Sequence, residues 1–287
     1  MENEHILLLG ATGASGLAFI DAVLETTTTR MPKLTLYIRP GSKSKLPASA
    51  TSNLGNGNIR IVEGHLDDVQ ALREALSASS SSTNPGSSFQ PVTTVISFLG
   101  AYLSLKAVFT RDKSHPIADA FQSAVLPAII KTCNNPNASP PRILVLSTPT
   151  AFCYSSERKA MPWKWWFYTC IPILFAPQGN AEMKGIAEAV VKAGGGSSAE
   201  GAQNQDQDHD QDQQDMQGPG HALRLDWTVF RVPHLTDGDP HAKVIAGNLD
   251  QAFAGGTDLS RGSLVRWVLK EIQERKWVRR APLLANA

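Results

Sequence analysis

Gly10, Gly13 and Gly16 lie in the run Gly10-Ala11-Thr12-Gly13-Ala14-Ser15-Gly16, directly after the apolar stretch His5-Ile6-Leu7-Leu8-Leu9. A short strand, a tight glycine turn and a helix start are what a dinucleotide pyrophosphate requires. Gly10 lets the chain leave the strand without Cβ clashes, and Gly13 brings backbone N–H groups close to the phosphates. Gly16 lets the new helix pack closely on the sheet. Thr12, Ala14 and Ser15 complete the phosphate-facing turn. The spacing G-x-x-G-x-x-G is a variant of G-x-G-x-x-G, and the plain alternative is a strand–helix turn that binds nothing.

A second group sharpens the cofactor chemistry. In NAD-preferring sites an acidic residue about 20 positions beyond the glycines accepts hydrogen bonds from the adenosine ribose. Here the corresponding stretch is Tyr37-Ile38-Arg39-Pro40-Gly41-Ser42-Lys43-Ser44-Lys45. Arg39 stands in place of the acid, with Lys43 and Lys45 behind it. A carboxylate would repel a 2′-phosphate, whereas a guanidinium binds it with paired hydrogen bonds and stacks on adenine. NADP(H) is therefore the expected cofactor, against the plainer reading of an exposed basic loop.

These residues need a sheet beneath them. Strands are expected at Ile6–Leu9, Leu34–Ile38, Ile59–Val62, Val92–Phe98, Ile143–Ser147 and Trp227–Arg231. Helices are expected at Ser15–Glu25, Asp68–Leu76, Ile117–Cys133, Glu182–Lys192 and Ser260–Arg275. In the first helix Leu17, Ile20, Val23 and Leu24 recur at one-face spacing; in the last, Leu264, Val265, Val268, Leu269 and Ile272 do so. Alternating strands and helices predict an α/β fold, a doubly wound Rossmann parallel sheet in the order 3-2-1-4-5-6. The ligand then lies across the carboxyl ends of the strands. One NAD(P)-binding domain is expected over residues 1–287, with small C-terminal substrate-binding elements. Residues 47–58 and the serine-rich 77–88 read as loops. Residues 194–220, rich in Gln and Asp with no apolar face, read as a disordered surface insertion. Its Asp-Gln-Asp-His-Asp run reads as a solvated tail rather than a metal site, and no metal is expected.

Composition narrows the function. Lys and Arg total 27 against 26 Asp and Glu, a net charge of +1, which argues against a general nucleic-acid or anionic-membrane surface. The three cysteines, Cys133, Cys153 and Cys170, form no Cys-x-x-Cys pair, which suggests a reducing compartment. With no signal peptide visible, a soluble cytoplasmic protein is expected.

Four stretches carry a family resemblance. They are Leu9-Gly10-Ala11-Thr12-Gly13-Ala14-Ser15-Gly16, Val95-Ile96-Ser97-Phe98-Leu99-Gly100, Leu225-Asp226-Trp227-Thr228-Val229-Phe230-Arg231-Val232-Pro233 and Leu259-Ser260-Arg261-Gly262-Ser263-Leu264. With Lys276-Trp277-Val278-Arg279-Arg280-Ala281-Pro282 they cover almost the whole chain outside the insertions. The chain resembles the atypical short-chain dehydrogenases/reductases of the NmrA-like group, most of all the fungal averufin-oxidase-type reductases of secondary metabolism. The resemblance implies NADP(H) at Gly10–Gly16 and Arg39. It also implies contacts to the nicotinamide half from Leu99 and Gly100, Ser147 and Thr148, and Val232 and Pro233. The family's Gly-Asp-Leu-x-Asp stretch appears as Gly64-His65-Leu66-Asp67-Asp68, so His65 replaces the acid that meets the adenine amino group. Leu66 can still pack on the base. His65 is either a hydrogen-bonding substitute or a loop histidine.

Ordinary short-chain dehydrogenases use Tyr-x-x-x-Lys on one helix with a serine at the end of strand five. The matching stretch runs Asn180-Ala181-Glu182-Met183-Lys184, which keeps the lysine and replaces the tyrosine with an amide. Ser147 survives. Lys184 is then the acid, the base or the ribose anchor, or a plain exposed helix lysine. Alternatively Tyr154 or Tyr102 supplies the phenol from a loop. A further possibility is that the cofactor serves architecture alone. Asn180 and His234 are grouped with the substrate contacts.

The segment 152–177 is rich in aromatic residues. Trp163, Trp166 and Tyr168 roof a large apolar substrate, with Phe152 and Tyr154 on the wall, or else the segment is a helix packed on the core or in a homodimer contact. Peripheral membrane contact stands behind both, and Lys164 and Pro172 speak against a membrane span. The leading expectation is an NADP(H)-dependent oxidoreductase acting on a bulky apolar or aromatic metabolite. Its rivals are a cofactor-retaining cyclase or pericyclase and a non-enzymatic NADP(H) redox sensor.

Overall fold

All five residues of the first strand, β1 (His5–Leu9), are buried, so this strand is covered on both faces. The computed structural model describes residues 4–25, 31–52, 54, 57–80, 88–100, 115–132, 140–151, 157–195 and 225–287. After β1 come α1 (Ala14–Leu24), β2 (Lys33–Ile38), the short α2 (Ala48–Ser52), β3 (Ile59–Glu63) and α3 (Val69–Leu76). Next are β4 (Thr94–Ser97) and a continuous helix α4. Its outer parts, Pro116–Ala120 and Leu126–Thr132, flank a π-wound centre at Phe121–Val125. The chain continues through β5 (Arg142–Ser147), the aromatic helix α5 (Trp163–Phe175), α6 (Pro177–Ala193) and β6 (Trp227–Arg231). It closes with β7 (His234–Thr236), β8 (Val244–Gly247), β9 (Asp258–Ser260), α7 (Arg261–Glu274) and β10 (Leu283–Asn286).

The sheet has the order β8-β10-β6-β5-β4-β1-β2-β3. From β3 to β6 every neighbouring pair is parallel, with Leu9 opposite both Tyr37 and Ser97. The expected order 3-2-1-4-5-6 is therefore present, and β10 and the antiparallel β8 extend it. The strand order reverses between β1 and β4, where a doubly wound sheet opens a crevice.

Alternation along the strands feeds two cores. Leu7, Leu9, Val95, Val145 and Val229 join the cluster beneath α3, α4 and α6. Ile6, Leu8, Ile96, Leu144 and Phe230 join the one beneath α1 and α7. In α1 the buried residues are Gly16, Phe19, Ile20, Ala22 and Val23, while Leu17 and Leu24 pack only partly. The α7 face follows the expected pattern, and Ser260 caps it by accepting from the Ser263 N–H. Asp68 caps α3 through the N–H groups of Gln70 and Ala71 at 3.1 and 3.0 Å.

Two ion pairs are buried where the elements meet. Arg142 at the start of β5 pairs with Glu271 of α7 and donates to Thr228 Oγ1 at 2.7 Å. Arg231 at the end of β6 forms a two-pronged pair with Glu157 at 2.8 and 2.6 Å and donates to the Ala281 carbonyl at 2.6 Å. Glu157 opens the single helical turn Glu157–Ala160 that leads into α5.

The expectations differ from the structure at a few elements. Helix α6 begins at Pro177, before the expected Glu182, because proline suits a first helical turn. The aromatic segment holds a full helix, α5. The 47–58 loop contains α2, and the 77–88 loop contributes a two-strand ribbon, Ser79–Ser80 with Ser88–Phe89. Residues 196–220 of the expected insertion lie outside the described residues. Among the described residues no helix is long and apolar enough to cross a membrane.

Candidate functional site

At the turn after β1, Gly10 adopts φ +80°, a left-handed conformation that favours glycine, and a Cβ there would sit 2.9 Å from the Phe98 carbonyl carbon. The Gly13 N–H donates to the Gly10 carbonyl at 3.1 Å, which closes the turn. Gly16 meets the strand so closely that a Cβ would lie 2.3 Å from the Gly10 oxygen. Helix α1 then starts at Ala14 with no side-chain cap, unlike α3 and α7. Its first backbone donors are left to water or to a ligand.

A cleft of about 940 Å3 runs across the carboxyl ends of all six parallel strands. Gly10, Thr12, Gly13, Ala14 and Ser15 line it after β1, Ile38 and Arg39 after β2, and Gly64 and Leu66 after β3. Phe98, Leu99 and Gly100 follow β4; Leu146, Thr148 and Pro149 mark the end of β5; and Val232, Pro233, His234 and Leu235 follow β6. Helix α5 contributes Tyr168 and Ile171, helix α6 contributes Met183, and α7 contributes Arg261. A volume of this size holds a dinucleotide-scale ligand, and its far end is mostly apolar.

Tyr37 organises the β2–β3 side. Its hydroxyl donates to the His65 carbonyl at 2.6 Å, and burial pushes the phenol up to about 12, with Asp68 and Asp67 adding to the effect. His65 is thus held through its backbone while its side chain is exposed and outside the cleft lining. At the β5 end, Thr148 Oγ1 donates to Asn180 Oδ1 at 3.0 Å and Thr150 Oγ1 donates to the same oxygen, which brings the two hydroxyl oxygens to 2.8 Å from each other. Burial raises the Tyr168 phenol above its ordinary value, while the His234 backbone beside it acts the other way. The Tyr168 ring is held edge-on against Trp165, with centroids 5.4 Å apart.

Some expected site residues lie elsewhere. Lys184 is absent from the cleft lining, and its Nζ pairs with Glu188 one turn on at 3.4 Å; its neighbour Met183 faces the cleft. Ser147 is fully buried and its hydroxyl donates to the Met183 carbonyl at 3.1 Å, so it joins β5 to α6. Gly16 packs helix on strand. Lys43 is exposed outside the lining, and Asn180 reaches the cleft only through Thr148. Trp163 and Trp166 do not roof the cleft, because the phase of α5 turns Tyr168 and Ile171 inward and leaves both tryptophans exposed. Tyr102, Phe152 and Tyr154 lie outside the described residues. Tyr37, Met183, Ile171 and Arg261 were not anticipated. Tyr37 and Met183 adjoin residues that were, and Arg261 lies in a family-like stretch. Arg261 pairs with Asp237 at 2.6 Å.

No protein-family model and no curated protein matches the chain. Solved structures do match it in fold. A short-chain dehydrogenase/reductase from Veillonella parvula superposes with a TM-score of 0.57 at 15% identity, covering 99% of this chain and 94% of its own. A wide-type short-chain dehydrogenase/reductase from the same organism, solved in complex with NADP, gives 0.56 at 16% identity over 99% and 94%. ChuY, an anaerobillin reductase from Escherichia coli O157:H7, gives 0.56 at 14% identity over 98% and 97%. At these identities the likeness establishes the α/β Rossmann fold.

Proposed function

We propose that this chain binds NADP(H) across the cleft and is an oxidoreductase for a bulky, largely apolar or aromatic metabolite, of the NmrA-like atypical short-chain type. The observation that carries this reading is the continuity of the cleft. It joins the uncapped start of α1 and Arg39 at one end to an apolar chamber with two hydroxyls, Thr148 and Tyr168, at the other. The glycine turn from Gly10 to Ser15 would hold the pyrophosphate. Arg39 would hold the 2′-phosphate, and Leu66 with the turn fixed by Tyr37 would flank the adenine. Leu99, Gly100, Val232 and Pro233 would flank the other half. When bound, the reduced cofactor supplies a hydride. The similar Veillonella structure in complex with NADP supports the reading.

The residues of the chain bind and orient. Tyr168 stays protonated at neutral pH and offers its O–H to a substrate oxygen; Thr148, held by Asn180, gives the neighbouring wall its polarity. Ile171, Met183 and Leu235 give the chamber its apolar wall. Lys184, paired with Glu188, is assigned no proton transfer. The amide at Asn180 favours a second reading, in which the cofactor completes the pocket for a cyclisation without being consumed. A panel of aromatic ketones, enones and quinones incubated with NADPH separates the two. Product formed with one NADPH lost per turnover supports the reductase; turnover with no NADPH loss overturns it. The motif stretches also support a place in secondary metabolism, and the three cysteines without a Cys-x-x-Cys pair support a cytoplasmic setting.

A further inference from the structure

Helix α5 shows solvent an apolar stripe. Trp163 is 83% exposed, Trp166 61%, Phe167 64%, Ile173 50% and Leu174 70%. Trp163 stands three and four residues before Trp166 and Phe167, and these stand seven before Ile173 and Leu174, so the five share one side of the helix, with the partly exposed Cys170 between. Trp165 and Thr169, on the other side, are buried. The stripe amounts to several hundred Å2, at or beyond the roughly 300–600 Å2 of the largest patch on a typical soluble monomer. The helix and its lead-in carry exposed charge of one sign, while Asp258 acts on the inward-facing Tyr168. Between Glu157 and Phe175 the chain carries Arg158, Lys159 and Lys164, with Lys159 and Lys164 exposed. The one carboxylate, Glu157, is buried against Arg231. At 13 residues the helix is too short to span a bilayer but long enough to lie in its surface.

We propose that α5 docks the protein on an anionic lipid surface, with Trp163, Trp166, Phe167 and Leu174 in the headgroup–acyl boundary and the lysines facing lipid phosphates. Tryptophan beside lysine suits that boundary, where an apolar ring lies under a charged layer. A second copy fits less well. In an antiparallel twofold contact through this stripe, Lys164 near the start of one helix would face the apolar Leu174 end of the other, with no carboxylate on the helix to answer it. A stable dimer also needs about 800 Å2 from each partner. Ile171 links the stripe to the cleft, since it lines the cleft and is itself 44% exposed. A docked protein would therefore receive an apolar substrate from the lipid without passage through water. This route rests on the proposed reading of the cleft, whereas docking does not.

The test is co-sedimentation of the full chain with phosphatidylcholine vesicles, with and without phosphatidylserine, for the wild type and for Trp163→Ser/Trp166→Ser/Phe167→Ser. NADPH binding and thermal unfolding serve as controls that are independent of docking. The expected result is partition into the serine-lipid vesicles, weaker in high salt, and reduced at least about tenfold in the triple variant while its melting temperature holds. Absence of wild-type partition, or equal partition of the variant, overturns the proposal. So does a dimer that these substitutions dissolve in a protein that ignores vesicles.

Discussion

The Thr148 hydroxyl donates to Asn180 Oδ1 at 3.0 Å, tying the end of β5 to the first turn of α6. Asn180 stands where the resemblance expects a catalytic tyrosine, and it acts as an acceptor for two threonine hydroxyls. Asn180→Ala removes that acceptor and frees Thr148 to rotate. The expected result is roughly a tenfold fall in the turnover of NADPH-consuming reactions, with NADPH affinity nearly unchanged. Asn180→Asp, which keeps an acceptor, should recover part of the rate. A proportional loss of NADPH affinity in Asn180→Ala would show instead that the residue serves only the cofactor.

Arg231 and Glu157 hold each other in the interior, and the Leu249 N–H adds a 3.4 Å contact to the carboxylate. Glu157→Gln leaves a buried guanidinium without its counter-charge and should cost about 3–5 kcal/mol. For a chain of this size that lowers the melting temperature by roughly 10 °C. Replacing both residues with apolar ones of similar volume should cost less than the single change. Calorimetry of the single and double variants checks the order.

His5 gives a pH signature. Its ring is buried between the Gln90 carbonyl and Thr35 Oγ1, and burial lowers its pKa from the ordinary 6.5 to about 4. Between these values the unfolded chain binds a proton that the folded chain refuses, so stability falls as pH drops from 6.5 towards 4. The loss reaches about 3 kcal/mol, and above pH 6.5 His5 contributes no slope. Urea unfolding at pH 7 and pH 5, where most carboxylates are still ionised, should show the decline in the wild type. It should be smaller in His5→Gln, and an equal slope in both would refute the assignment.

The scaffold was legible where burial imposes a period. The six parallel strands are nearly continuous apolar runs because helices cover both faces, and the turn from Gly10 to Gly16 announced its own geometry. The site was less so. The spacing of Asn180 and Lys184 puts them on one face of α6 but does not say which way that face points, and Met183 is the residue that lines the cleft. The α5 sequence WKWWFYTCIPILF is apolar all round, so no pattern marks which side is covered. Arg231 reads as an odd charge in a strand until the fold brings Glu157 to it from 74 residues away.

Arg39 carries the central claim, that the cleft takes NADP(H). Isothermal titration of NADPH and NADH against the wild type and Arg39→Asp tests it most directly. The account predicts that the wild type prefers NADPH, and that Arg39→Asp weakens NADPH by about 100-fold or more through loss of a charge-assisted contact and added repulsion, while NADH changes little. No binding of either nucleotide, or the same NADPH-to-NADH ratio in both proteins, would contradict it.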